Sequence, residues 1–332
     1  MSRTARRMSR TRIAAVLALA GLAVAGCSST GGLSDLGWTQ APTAPGEEET
    51  TAPAPGGGST VQCDDPTQSY PALDFLPGPD ALPSGSTMQE IRDRGSLIAG
   101  VSADTLLMGA RNPFTGALEG FDVDMLRKVS TAIFGSPDHI QFRVITSADR
   151  VPLLESGEVD IVARTFSMTC ARWESIAFST EYYQAGQKVL VGADSTATGL
   201  DDLSGKKVCA PEATTTLTRL EDFPEIEAVS AVTHTACLVL FQQGKVDAIT
   251  GDDTILAGFV AQDPYAKVVG EAISAEHYGL GIPADNVDMV AFVNRVIADS
   301  IADGSWNTSY QKWLGVLGDT PLVPVPNYGR AG

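Results

Sequence analysis

The sequence predicts an α/β protein of two similar lobes, each built on a mainly parallel sheet and joined by two hinge crossings. Three observations carry this. From about Met88 onward, short apolar strands alternate with amphipathic helices, the pattern of an α/β layer. That pattern restarts at Leu203-Ser-Gly205-Lys-Lys-Val208-Cys-Ala210, which echoes the opening strand near Gly95-Ser-Leu-Ile-Ala-Gly100. Finally, Leu153-Leu-Glu-Ser-Gly157-Glu-Val-Asp160-Ile is matched by Leu240-Phe-Gln-Gln-Gly244-Lys-Val-Asp247-Ala. Both copies read as a helix end, a glycine cap and a strand.

The elements follow in order. Arg3, Arg6, Arg7, Arg10 and Arg12 precede an apolar run from Ile13 to Ala25. This run has the length of a signal-peptide core and is too short to favour a membrane span. Its end, Val24-Ala25-Gly26-Cys27, resembles a bacterial lipobox. The resemblance implies a signal peptide over residues 1–26, and a mature chain lipidated at Cys27 on the extracytoplasmic face of the cell membrane. Residues 27–86 are rich in Gly, Pro, Ser and Thr and read as a flexible tether. Beyond Cys63, the side chains of Tyr70, Leu73, Phe75 and Leu82 offer apolar surface for docking on the body.

Lobe 1 is expected over 87–186 and again over 277–320, lobe 2 over 187–276, and a tail over 321–332. Phe121 to Val129 opens an amphipathic helix with Asp122 and Asp124 at its positive end. Ile140 to Ile145 reads as a strand and Arg150 to Glu155 as a helix. The crossings are expected near Gln184–Val191 and Glu271–Gly281. The closing helices, Val287–Ile301 and Trp306–Val316, return to lobe 1. Pro321 to Pro326 cannot continue a helix.

With Cys27 assigned to lipid, four cysteines remain, and an even number in an exported chain favours disulfides. Cys209 and Cys237 fall in the same lobe and are paired, which leaves Cys63 with Cys170. The formal net charge is −17, and near −22 once residues 1–26 are removed. So acidic a surface argues against nucleic acid and anionic lipid as partners.

The richest stretch runs from Glu158 to Trp173. A short buried strand enters a turn with hydroxyls at Thr165, Ser167 and Thr169, flanked by Arg164 and Arg172. Thr169 suits a helix N-cap, and the turn suits an anion, which a guanidinium can grip through two parallel hydrogen bonds. The same residues also suit an ordinary strand-turn-helix with surface arginines. In the second copy the equivalent place holds Gly251-Asp252. Arginine on one lobe and aspartate on the other suit a zwitterion such as an amino acid.

Other chemistries find little support. His139, His234 and His277 lie far apart without metal spacing and read as surface or structural residues. No Gly-x-Ser-x-Gly elbow or Walker loop occurs. Gly279-Leu-Gly281-Ile-Pro-Ala284 carries Pro283 where a dinucleotide-binding helix would begin. Neither a catalytic constellation nor a metal or cofactor site emerges.

Taken together, Gly120-Phe-Asp-Val-Asp124, Gly157-Glu-Val-Asp160, Ser167-Met-Thr-Cys-Ala-Arg172, Phe178-Ser-Thr-Glu-Tyr182, Gly205-Lys-Lys-Val208 and Asp252-Asp-Thr-Ile-Leu-Ala-Gly258 carry a family resemblance. Over residues 88–318 the chain resembles extracytoplasmic solute-binding proteins of the polar amino acid type (bacterial family 3). Within that family it is most similar to the glutamate/glutamine-binding lipoproteins of actinobacteria. The resemblance implies a periplasmic-binding-protein-like fold whose lobes close on an amino acid. It implies that Arg172 grips the α-carboxylate, helped by Ser167 and by backbone N–H groups near Thr165 and Thr215. Asp252 then takes the α-ammonium, with Asp253 as the adjacent alternative.

Arg111 and Arg164 either pair with a side-chain carboxylate or sit on the surface. Ala213 departs from the glycine common at its position, and its Cβ alters how the backbone approaches the carboxylate. The implied ligand is glutamate or aspartate ahead of glutamine or asparagine. The implied partner of this monomer is an ABC importer's permease or a membrane sensor. The rival reading is a dehydratase-like enzyme of the same fold acting on a small carboxylic acid, marked by a cleft carboxyl with a raised pKa. A structural lipoprotein with a vestigial cleft is a third.

Overall fold

The computed structural model describes residues 63–318 and 322–331; the leader, Cys27 and the tether up to residue 62 lie outside the described residues. Among the described residues, no helix is long and apolar enough to cross a membrane.

The first lobe is laid down in alternation. Helix α1 (Thr87–Arg94), capped by Ser86, leads into strand β1 (Leu97–Val101). A small antiparallel sheet of β2 (Asp104–Thr105), β3 (Gly109–Arg111) and β4 (Leu118–Glu119) follows. Next come α2 (Phe121–Phe134), β5 (Ile140–Val144), α3 (Arg150–Glu155), β6 (Ile161–Ala163), α4 (Cys170–Trp173) and β7 (Ile176–Phe178). Strand β8 (Tyr183–Gly192) then crosses to the second lobe.

That lobe contains β9 (Lys207–Pro211), α5 (Thr215–Arg219), β10 (Glu227–Ala231), α6 (His234–Gln242), β11 (Ala248–Asp252), α7 (Asp253–Val260) and β12 (Ala266–Val269). The chain returns through β13 (Ala275–Tyr278) and β14 (Gly281–Pro283), and ends in α8 (Val287–Ala302) and α9 (Ser305–Trp313).

The two sheets are alike. In the first, β5, β1 and β6 run parallel, while β14 pairs antiparallel with β6 and β7. In the second, β10, β9 and β11 run parallel, while β8 is antiparallel to both β11 and β12. The parallel strands come from the strand–helix alternation; the antiparallel ones are crossings and returns. β8 also pairs with β13 from Tyr183↔Tyr278 to Gly186↔Ala275, forming a two-stranded ribbon between the lobes.

Strand side chains alternate between the faces of a sheet, so a sheet covered on both sides needs apolar residues at consecutive positions. Lobe 2 follows this rule. Leu190, Cys209 and Ile249 enter one core with Leu238, Leu256 and Phe259. Their neighbours Val189, Val191, Val208 and Ala248 enter the other, with Leu200 and Leu203. Cys209 and Cys237 are joined across the first of these cores, 28 residues apart in sequence. Replacing both with alanine is expected to cost about 3–4 kcal/mol by loop-closure entropy. Denaturant unfolding of the oxidised protein and the variant would measure it, and a loss under about 1 kcal/mol would reject that account.

The residues from Cys63 to Ser86, read as the end of the tether with apolar side chains for docking on the body, lie on lobe 1. Cys63 is bonded to Cys170. Leu82 is buried, and Tyr70 and Leu73 pack on the core, but Phe75 is 73% exposed and does not dock. The C-terminal tail joins this strap: Ser69 N–H donates to the Asn327 carbonyl at 2.9 Å, and the Arg330 guanidinium lies 3.8 Å over the Trp173 ring.

Candidate functional site

In open α/β sheets, ligands gather beyond the carboxyl ends of the parallel strands. Here those ends face each other across the lobes and enclose a small, nearly filled polar cavity. Lobe 1 contributes Ser147 and Arg150 after β5, Thr165 and Ser167 after β6, and Arg172 from α4. Lobe 2 contributes Thr214, Thr215 and Thr216 after β9, His234 after β10, and Asp252 at the end of β11. A wider opening outside it is lined by Thr169, Arg172, Ala213, Thr215 and Arg219, among others.

The lobes touch across this cavity. The Ala213 carbonyl accepts from Arg150 Nη2 at 3.0 Å and from Arg172 Nη2 at 3.2 Å. Thr235 Oγ1 donates to the Asp104 carbonyl at 3.2 Å. Gly258 of α7 meets the Leu106 carbonyl so closely that a Cβ would stand 2.7 Å from it. This is a closed arrangement.

Local folding sets the arginines. Thr169 is the N-cap of α4, accepting the Arg172 N–H at 3.2 Å, so the helix holds Arg172 at the mouth. Arg150 is deeper, at 3% exposure. Its Nε donates to the Ser147 carbonyl at 2.9 Å and its Nη1 to the carbonyls of Arg164 and Thr165, both at 3.2 Å. Both guanidinium groups lie against the Phe166 ring, at 4.4 and 4.9 Å from its centroid. Burial lowers the Arg172 pKa to about 10, with Glu276 and Asp252 opposing, so it stays charged at neutral pH.

Two backbone positions are strained. Thr165 (φ 42°) and Ala213 (φ 56°) occupy the left-handed region, which side chains with a Cβ enter at a cost of about 1–2 kcal/mol. Thr165 is locked by its N–H, which donates to Asp122 Oδ2 at 2.9 Å. Asp122 also accepts from Tyr182 Oη at 2.5 Å, and burial raises its carboxyl to about 6. At Ala213 the strain accompanies the carbonyl that receives both arginines.

The anionic wall is Asp252, 4% exposed. Tyr278 Oη donates to its Oδ2 at 2.5 Å, while Oδ1 is buried without a hydrogen-bond partner. Burial raises this carboxyl well above the ordinary range, and nearby Glu276 raises it further. His234 holds the deep end from lobe 2. Its Nε2 is also buried without a partner, and burial together with Arg164 and Arg150 pushes it down to about 3. It is therefore neutral at neutral pH. Gly251 makes room for it, since a Cβ there would stand 3.2 Å from Nε2.

Of the residues predicted from sequence, Arg172, Asp252, Thr165, Ser167 and Thr215 line the cavity. Two do not. Arg111 sits exposed on the small sheet, with Nη1 donating to the Gly116 carbonyl at 2.7 Å. Arg164 is buried but turns away, donating to the Ile145 carbonyl at 2.8 Å and to Ser147 Oγ at 2.6 Å. Asp253 lines a separate hollow with Lys188 and Lys267. Cys27 lies outside the described residues. Ser147, Arg150, Thr214, Thr216 and His234 were not foreseen; His234, read as a surface or structural residue, is buried and lines the cavity. Their shared signal is position, since each follows the end of a parallel strand.

Two lobes closing on a small polar cavity, with cations on one wall and a carboxylate on the other, form a device for holding a solute. The chain belongs to the bacterial extracellular solute-binding proteins, family 3, matching over residues 97–316. It is 29% identical over 230 residues to a Bacillus subtilis protein named as the ABC transporter glutamine-binding protein GlnH, covering 69% of this chain and 84% of that one. It is 32% identical to the glutamate-binding protein GluB of Corynebacterium efficiens, covering 67% and 80%. Among solved structures, a mutant of ArgBP from T. maritima superposes with a TM-score of 0.64 at 26% identity, covering 69% of this chain and 99% of that one. This is a family of binding proteins and not of enzymes. Asp252 does carry the raised cleft carboxyl that the enzyme reading would use, so the family match and not this shift sets that reading aside.

Proposed function

We propose that this protein captures an amino acid between its lobes and presents it in the closed form to a membrane partner. The observation that carries this reading is the pairing of Arg172 with the partnerless Asp252 Oδ1 in one cavity. An amino acid supplies what each lacks: a carboxylate for the guanidinium and an ammonium for Asp252. Ser167, Thr165 and Thr215 stand beside the α-carboxylate.

The side chain then points to the deep end, toward Ser147, Arg150 and His234. Arg150 favours a carboxylate there, and a carboxamide oxygen can also accept from these groups. Glutamate or aspartate is therefore the first ligand, with glutamine or asparagine next. The names of the glutamine- and glutamate-binding relatives support that range. The partner is the permease of an ABC importer or a membrane sensor, and the protein acts as a monomer lipid-anchored at Cys27 on the extracytoplasmic face.

Calorimetric titration of the chain from Cys63 onward, stripped of carried-over ligand by unfolding and refolding, tests this against a panel of amino acids. Binding of acids with amides weaker is expected. Binding of neutral apolar residues alone would reject the side-chain assignment. Arg150→Gln should weaken glutamate and aspartate about 10- to 100-fold, the range of one charge-assisted hydrogen bond, and the amides less. Equal losses for acids and amides would remove Arg150 from the side-chain role.

A further inference from the structure

A charged residue just behind the cavity wall bears on selectivity. Glu276, on the crossing strand β13, is 4% exposed. Its Oε2 accepts from Thr215 Oγ1 at 2.7 Å and its Oε1 from Ser274 Oγ at 2.8 Å. Thr215 itself lines the cavity, so this carboxylate is one hydrogen bond from the ligand space. Among the described residues, Glu276, Asp252, Arg150 and Arg172 have no ion-pair partner within 4 Å. One buried and one half-buried guanidinium, Arg150 and Arg172, thus face two buried carboxyl groups, Asp252 and Glu276, across the site without forming an ion pair.

Resting on the reading of the ligand given above, we propose that Glu276 sets the balance between acid and amide ligands. The main-chain groups of any amino acid neutralise Arg172 and Asp252. That leaves Arg150 at the deep end and Glu276 near the hinge. An amide side chain keeps these two in balance. An acidic side chain neutralises Arg150 and leaves Glu276 as an uncompensated buried charge, which repels the added carboxylate. In a water-poor site this repulsion is weakly screened and acts beyond contact distance. Glu276 thus holds down the preference for acids that Arg150 creates, and keeps the site open to both classes.

Glu276→Gln tests this cleanly. Both hydrogen-bond partners are hydroxyls, which can donate or accept, so the amide can be held as the carboxylate was. Glutamate affinity should rise about tenfold relative to glutamine, equivalent to about 1.4 kcal/mol, with glutamine itself changed by less than about threefold. Glu276→Met, which removes the charge at similar volume, should shift the ratio the same way whatever it does to stability. An unchanged glutamate-to-glutamine ratio in both variants overturns the role of Glu276. Wild-type protein that binds no amino acid overturns the reading beneath it.

Discussion

Arg172→Ala is expected to abolish measurable binding of every amino acid, acid, amide and neutral alike. The reason is that Arg172 faces the one group that all amino acids share. It remains charged at neutral pH, with a pKa of about 10. Truncating one partner of a buried charge pair costs about 2–5 kcal/mol, or about 30- to 5,000-fold in affinity. Much of that is the penalty of closing the lobes over a carboxylate with no cation to meet it. The fold should survive, because Arg172 is only partly buried and its own bonds go to the Ser167 and Ala213 carbonyls at the mouth. Calorimetry beside a melting curve separates the two effects. A variant that melts normally and still binds one amino acid tightly would show that its carboxylate is held elsewhere. Arg172→Lys retains the charge but loses the planar fork, and should recover only part of the affinity.

What could be read from the sequence, and what could not, follows from how local each signal is. The lobes were legible because strand and helix periods are local, and because Gly157-Glu-Val-Asp160 and Gly244-Lys-Val-Asp247 repeat the same helix end and strand start. The hydroxyl-rich turn was legible too, but it offered Arg164 and Arg172 alike, and only the family resemblance singled out Arg172. Arg150 and His234 were not legible. Each looks in sequence like the first residue of a helix, and each becomes a cavity residue only because its strand ends at the interlobe face.

Arg111 shows the converse. The family resemblance suggested it for the ligand side chain, but the chain after β1 folds into a small sheet and carries it to the surface. Arg164 differs again, since it directly follows a parallel strand. Backbone direction alone decides that its guanidinium meets the Ile145 carbonyl while the next residue, Thr165, enters the cavity. A rule applied to sheet topology, rather than to charge, would have ranked Ser147, Arg150 and His234 with Arg172. It would still have needed coordinates to set Arg164 aside.

Asp252→Asn should produce the second large effect, and it separates affinity from stability. The carboxyl of Asp252 is raised by burial and by Glu276. A carboxyl raised in the folded state contributes stability that is present below its unfolded pKa and lost as pH rises through its folded pKa. The empty protein therefore carries a strained charge at alkaline pH, with Oδ1 partnerless. Asparagine removes that charge and can still accept from Tyr278 Oη, so the empty variant should melt higher than wild type at pH 8.

The ligand reverses this. An ammonium against Oδ1 favours the ionised form, so binding releases a proton, and wild-type affinity should fall as pH drops through the raised pKa. Glutamine is the ligand to use, because its side chain does not titrate. In Asp252→Asn the affinity should fall by about 2–5 kcal/mol at neutral pH, and that pH dependence should flatten. Asp122, at about 6, titrates in both proteins and cancels from the comparison. If the variant loses affinity but keeps the wild-type pH profile, the proton belongs to another group. If it keeps its affinity, the ammonium is held elsewhere, and the partnerless oxygen must be explained by something other than a ligand.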